Sequence, residues 1–156
     1  MSITVTGIDE LRYLLEQGGQ KAVRGVVDQM RKEAEAIQKL AQEMAPLDLG
    51  NLEEAIKVRE LGGGRSAMGR FQKKSFEVFV DGDMPVPERP GKHISDYAWE
   101  MHQHLTPYGF LKLGKHSQAK QEGSKEVVGG GYLERAVQKV SERMMGRLID
   151  VARSLL

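Results

Sequence analysis

Apolar residues recur every three or four positions along two long stretches, a period that predicts amphipathic helices. The first stretch covers residues 23–44, and the second begins at about Tyr132. Both signs of charge occupy the positions between the apolar ones, which keeps those faces solvated. A shorter helical stripe over residues 11–15 precedes the first long helix, and Gly18-Gly19 is expected to close it as a C-cap does.

Apolar and polar residues alternate in four shorter segments, and alternation predicts strands. The segments are residues 3–5, 56–61, 72–81 and 97–104. Because the later strands follow one another closely, the sheet is expected to be antiparallel with helices on one face. The predicted fold class is α+β, with a small antiparallel β-sheet packed against two long α-helices and with long flexible loops.

Three segments between these elements are predicted to be flexible loops. Residues 62–70 are rich in glycine, residues 82–94 contain three prolines, and residues 105–130 are weakly patterned with scattered lysines. Glycine clusters mark loops and element ends, and proline is excluded from central strands. A chain of 156 residues with these features is expected to form one domain over residues 1–156.

Residues 45–56 predict a sharp corner between the first long helix and a strand. Proline restricts the residue before it, so the helix is expected to end at Ala45-Pro46. Asp48 can accept backbone hydrogen bonds, and Gly50 offers a positive φ or a close backbone approach. One helical turn then places Leu52 and Ile56 toward the core. These features indicate a structural corner without chemistry of its own.

Composition narrows the possible functions. The net charge is +1, from 23 basic and 22 acidic residues, which argues against binding driven by bulk charge. The chain has no cysteine, which excludes disulfides and thiolate chemistry. No signal peptide or transmembrane segment is visible, so a cytoplasm-like compartment is expected unless the protein leaves as part of a particle. Nucleophile-elbow and phosphate-loop motifs are missing, and no catalytic residue or cofactor is predicted.

One group of residues has the composition of a metal site. Glu100, His102 and His104 would share a face of the predicted strand, and two imidazoles with a carboxylate can bind zinc. Metal sites usually draw ligands from several segments, so the solvated face of an edge strand is the favoured interpretation. The lysines of residues 105–130 could contact phosphate, but they are not interleaved with aromatic residues, which favours a solvated loop.

Four segments, in order, resemble the signature of the head–tail joining, or tail-completion, proteins of lambdoid siphophages, a tailed-phage neck family. The family reads Ala-Pro-x-Asp-Thr-Gly-x-Leu and then Ser-Ile after a long helix. The matching residues here are Ala45-Pro46-Leu47-Asp48-Leu49-Gly50-Asn51-Leu52 and Ala55-Ile56. The opening segment 3–15, Tyr97-Ala98 with His102 (Tyr-Ala-x-x-x-Glu in the family), and the last-helix entry also resemble it. That entry, Pro-Phe-Leu-x-x-Ala in the family, is here Gly131, Tyr132, Leu133 and Ala136.

The resemblance implies a non-enzymatic virion protein of the head–tail junction, assembled in the host cytoplasm. It implies a homo-oligomeric ring, expected to be six-fold, beside the stopper (head-completion) protein, the tail terminator and the portal adaptor. Genomic DNA would pass through the channel without sequence-specific binding, and no membrane is involved. Two alternatives stay open: a minor capsid component, or a nucleic-acid-binding accessory protein that uses the basic segment 105–130.

Overall fold

The computed structural model describes residues 7–47, 50–62 and 74–156, with the side chain of Ile8 also outside the description. The elements in chain order are α1 (Ile8–Met44), α2 (Asn51–Ala55), β1 (Ile56–Leu61), β2 (Ser75–Val80), α3 (Ser95–His104), α4 (Lys115–Gly123) and α5 (Tyr132–Ser154). β1 and β2 form a two-stranded antiparallel sheet. The predicted α+β class with a small sheet and long helices is confirmed. None of the described helices is both long enough and apolar enough to cross a bilayer.

The two long helices begin and end close to where the periodicity places them. α1 is broken at Gly19, whose φ of 58° and ψ of −145° are not helical, as expected from Gly18-Gly19. It ends at Met44, directly before Ala45-Pro46, and α5 begins at Tyr132. Local steric rules and apolar spacing therefore suffice to place these boundaries.

The prediction of a strand over residues 97–104 is wrong, because this segment is helix α3. The large residues Tyr97, Trp99 and Met101 imitate a period of two, but Trp99 is 70% exposed. Tyr97 and Met101 pack against the core, and the apolar spacing continues at Leu105, which is buried. Positions four apart lie on one face of a helix, so the burial follows the helical period.

The prediction of one long loop over residues 105–130 is also wrong, because α4 occupies Lys115–Gly123. In residues 82–94, backbone hydrogen bonds from Val86 to Lys92 and from Ile94 to Met84 tie the segment into a turn. The other expected strand, residues 3–5, and most of the glycine-rich loop 62–70 lie outside the described residues. Of the three strands expected within the described part of the chain, two are present, β1 and β2.

The described residues divide into two compact units, and the single-domain interpretation stays a prediction. The first unit contains residues 7–36, 59–62, 74–77 and 137–156, and the second contains 37–47, 50–58 and 78–136. Each has its own apolar cluster. The buried residues of the first cluster are Leu14, Val26, Leu148, Ile149 and Ala152. Those of the second are Ala41, Met44, Ala45, Leu52, Ala55, Ile56, Val86, Ile94, Ala98, Tyr132 and Ala136.

In the first unit, an ion pair joins the α1 and α5 residues beside the apolar cluster. The buried Glu33 carboxylate accepts two hydrogen bonds from the Arg147 guanidinium, one of 2.6 Å from Nε, and a third from Gln29. The hydrogen bond from Arg147 lowers the pKa of Glu33 despite the opposing effect of burial. A carboxylate so satisfied is held in its charged form inside the unit.

Candidate functional site

The corner at residues 45–56 is a built structural feature of the second unit. Ala45, Leu52 and Ile56 are buried, and Pro46 is buried beside them. Gly50 has a φ of 85°, so it supplies the left-handed conformation before α2. A Cβ on Gly50 would meet nothing within 4 Å, so the backbone angle, and not close packing, requires glycine. Asp48 lies outside the described residues.

The end of α1 is capped by a residue distant in sequence. The Lys120 ammonium, on α4, donates to the carbonyl oxygens of Gln42 (2.7 Å) and Ala45 (2.8 Å). It also pairs with the Glu53 carboxylate on α2. α1 has no basic residue in its own last turn, so Lys120 supplies the positive charge that a helix C-terminus favours. Gly129 N–H binds the Met44 carbonyl at 2.8 Å.

Further side chains fix the corner on both sides. The Ser117 hydroxyl accepts from the Leu47 N–H and donates to the Leu47 carbonyl, both at 2.9 Å. From α1, the Gln38 amide donates to the Ile56 carbonyl at 2.8 Å, and the Gln42 amide donates to the carbonyls of Glu53 and Ile56. Because these side chains bind backbone groups, the corner is fixed as a chain path and not merely as an apolar contact.

The corner forms one wall of a cavity of about 390 Å³ within the second unit. Pro46, Leu47, Asn51 and Leu52 line it from the corner, and Gly114 to Ser117 line it from the start of α4. Its remaining walls come from α3 and from the segments on either side of α3. A cavity of this size is within the usual range for binding sites. The corner and this cavity therefore adjoin.

The last-helix entry packs closely and is not a loose glycine loop. A Cβ on Gly129 would lie 1.8 Å from the Thr106 carbonyl oxygen, and one on Gly130 would lie 2.3 Å from the Leu105 oxygen. The N–H groups of Gly130 and Gly131 bind the carbonyls of Thr106 and His102. Glycine is thus required here by the close approach of two backbones.

The side chains that follow complete this entry to α5. Tyr132 and Ala136 are buried in the core cluster of the second unit, and Leu133 packs against it. Burial raises the pKa of the Tyr132 phenol far above its usual range. Three of the four segments that resemble the phage family, namely the corner, Tyr97-Ala98 and this entry, therefore contribute to one core.

Glu100, His102 and His104 do not form a common site, because the segment is helical. Residues 100 and 104 are four apart on α3, whereas residue 102 points about 200° away from each. Glu100 and His104 are exposed, and the His104 ring lies 5.9 Å from the ring of Phe110. Among the described residues, no cluster of three or more acidic or histidine side chains could hold a metal ion.

His102 is instead a partly buried neighbour of the last-helix entry. Its ring contacts the Tyr132 ring edge-on, with 4.9 Å between centroids. Its Nδ1 atom is buried without a hydrogen-bond partner among the described residues. Burial lowers the pKa of His102, opposed by the charge of Glu134 and assisted by that of Arg135. The neutral imidazole is therefore the form that this site favours.

Exposed aromatic side chains mark another surface feature of the second unit. Trp99 is 70% exposed and Phe110 is 81% exposed. Two apolar residues of α5 in the first unit, Met145 and Ile149, do not form such a surface. Ile149 is buried in the core of the first unit, and Met145 packs against that core. Leu156, which follows α5, is exposed.

Sequence reasoning missed the roles of Lys120 and Ser117. Lys120 was grouped with the scattered lysines of a solvated loop, and its partners lie 67 to 78 positions away. α4 is short and mostly polar, so periodicity gives little signal for it.

Comparisons of the chain with protein-family models, with curated proteins and with solved structures found no match.

Proposed function

We propose that the protein is a structural component of a tailed-phage head–tail junction, a neck or tail-completion protein that helps join the tail to the DNA-filled capsid. The observation that carries this proposal is the occurrence of four family-like segments in the family's order along the chain. The corner of residues 45–56 is the most specific of the four. The role is mechanical and does not include catalysis.

The structure supports this proposal through the position of the family-like segments. The corner and the last-helix entry share the core of the second unit, so packing explains why these positions hold these residue types. Gly50 has a positive φ, which explains why the motif has a glycine at this position. A signature made of core and corner residues is what a shared fold requires, whereas a catalytic signature would place polar groups in a cleft.

The proposed partners are further copies of the chain, in a six-fold ring, and the neighbouring stopper, tail-terminator and portal-adaptor proteins. A closed ring uses heterologous contacts, in which two different surfaces of each subunit meet. Exposed aromatic residues such as Trp99 and Phe110 suit such contacts, because aromatic side chains are enriched in protein interfaces. Genomic DNA passes through the ring without base-specific contacts, and the site of action is the virion.

The nucleic-acid-binding alternative has less support than the junction role. Of the lysines in residues 105–130, Lys120 is engaged with two carbonyls and a carboxylate and is not available to phosphate. The minor-capsid alternative has the same expected chemistry and differs in location. Mass spectrometry of separated heads and tails distinguishes it, because a capsid component stays with heads.

Deletion of the gene from the phage genome that encodes the protein tests the proposal. Electron microscopy of the lysate is expected to show filled heads and complete tails that are not joined, with joining restored by the wild-type gene in trans. Normally joined particles from the deletion would rule out the junction role.

A further inference from the structure

The cavity of the second unit combines an apolar floor with a cationic rim. Six apolar side chains from the corner, α3 and the adjoining segments form the floor. They are Leu52, Val86, Tyr97, Met101, Leu105 and Leu111. An apolar surface that stays in contact with water gains free energy when another apolar group covers it. The floor therefore favours an occupant with apolar side chains.

The charged groups of the rim have one sign. Lys112 and Lys115 line the cavity and are exposed, and neither has an ion-pair partner in the part of the chain that the structure describes. Arg89, which already has an interaction, also lines the cavity, and no described acidic side chain does. α4 begins here with Gly114 at its N-cap, without a side-chain cap and without an acid in its first turn. The positive end of the helix adds to the field of the lysines.

Two polar side chains of the walls are already engaged in hydrogen bonds. Ser117 is engaged with Leu47, and the Asn51 amide donates to the Glu88 carboxylate at 3.0 Å. Leu52, Val86 and Leu105 of the floor are buried, so Tyr97, Met101 and Leu111 are the apolar side chains that an occupant would cover, and Lys112 and Lys115 are the cations left for it to pair with. The cations stand on separate elements, Lys112 before α4 and Lys115 in its first turn. Carboxylates at more than one point of an extended chain match this spacing better than one anionic head group.

We propose that this cavity binds a short peptide segment of a partner protein in which leucine- or phenylalanine-type side chains alternate with aspartate or glutamate. The apolar side chains cover the floor, and the carboxylates face Lys112 and Lys115. The identity of the partner as a neighbouring junction protein rests on the proposed function. The binding preference itself does not, because it is a property of the isolated chain.

Fluorescence anisotropy with three labelled peptides and the full-length protein tests the proposal. The first peptide is Leu-Asp-Phe-Glu-Leu, the second has lysine at both acidic positions, and the third has serine at all apolar positions. Only the first is expected to bind. The variant Lys112→Glu/Lys115→Glu is expected to weaken its binding by about tenfold or more, since electrostatic contacts then become repulsive.

The matched control is Lys39→Glu/Lys125→Glu, which makes the same charge change at two exposed lysines of the second unit outside the cavity. It is expected to keep the wild-type affinity within about twofold. Equal weakening by both double variants would show nonspecific charge attraction and overturn the proposal. So would failure of the first peptide to bind at about 1 mM, a concentration that reveals even weak sites.

A fourth probe addresses the other source of an apolar anion. Dodecanoate carries an apolar tail and one carboxylate. If dodecanoate binds and the first peptide does not displace it, the peptide is not the occupant and the proposal fails. Displacement of dodecanoate by the peptide supports it. Because these measurements use the isolated protein, a negative result leaves the deletion experiment on particle joining unaffected.

Discussion

The contacts inside the first compact unit differ in kind from the contacts inside the second. In the first unit, apolar stripes pack together and charged side chains pair with each other, as Glu33 does with Arg147 and Arg31 with Glu60. In the second unit, polar side chains bind backbone carbonyls, and glycines let backbones touch. The first kind of contact tolerates substitution by similar residues, whereas the second depends on the exact path of the chain.

The largest expected effect is at Gly129 in the second unit. Gly129→Ala would place a Cβ 1.8 Å from the Thr106 carbonyl oxygen and impose a φ of 141° on alanine. We expect a loss of about 4 kcal/mol or more in the free energy of unfolding, measured by urea denaturation. The control is Gly146→Ala on α5, where nothing lies within 4 Å. It should be neutral or stabilising by up to about 1 kcal/mol. Equal midpoints for the two variants would refute the close approach.

The second largest effect on the free energy of unfolding is expected at Lys120. Lys120→Met removes the donor to the carbonyls of Gln42 and Ala45 and leaves Glu53 without its cation. We expect a loss of about 2–4 kcal/mol, since unsatisfied buried polar groups cost about 1–3 kcal/mol each. Lys125→Met, at an exposed lysine, should change stability by less than about 0.5 kcal/mol. If both variants melt like the wild type, Lys120 does not cap α1.

Substitution of Gly50 should cause a smaller loss in the free energy of unfolding. Gly50→Val forces a β-branched residue to a φ of 85°, which costs about 2 kcal/mol. Gly146→Val is the control, because Gly146 is an exposed helical residue of α5 with nothing within 4 Å of a Cβ. Thermal melts of both proteins measure the difference. We further expect Gly50→Val to reduce head–tail joining through folding alone. A wild-type melting temperature together with normal joining would contradict the structural role of the corner.

The smallest effect is expected in the first unit and depends on pH. The pKa of Glu33 is lowered in the folded state, so its contribution is complete above the ordinary value of 4.5. As pH falls below that value, the unfolded chain takes up the proton first and the contribution is lost through the lowered pKa. Glu33→Gln should cost about 1.5 kcal/mol at pH 7.

Urea midpoints at pH 7 and pH 3 measure this dependence. The difference between wild type and Glu33→Gln should narrow at pH 3, because the unfolded wild-type chain carries a proton on Glu33 below the ordinary pKa of 4.5 and part of the stabilisation is then lost. A difference that is unchanged or larger at pH 3 would exclude Glu33 as a source of acid sensitivity.

The sequence predicted the elements whose signal is local. The stripe of α1, the break at Gly18-Gly19, the end before Pro46 and the start of α5 all depend on neighbours within one or two turns. The positive φ of Gly50 follows from the same kind of signal. These features could be placed because steric rules and apolar periods act over a few residues.

The parts that could not be predicted depend on distant contacts or on competing periods. Tyr97, Trp99 and Met101 satisfy an alternating pattern, and only their burial shows that the helical spacing decides. Lys120 resembles any solvated lysine until α4 brings it to the end of α1. The cavity also depends on this long-range packing, although its corner wall was identified from the sequence.

We propose that the protein acts as a part of the particle and not as a catalyst. A joining titration tests it most directly: purified protein is added to separated heads and tails from the deletion lysate, and joined particles are counted. We predict that joining rises in proportion to added protein and reaches a plateau at a fixed number of copies per particle. Complete joining by substoichiometric protein, or no joining at any ratio, would contradict the account.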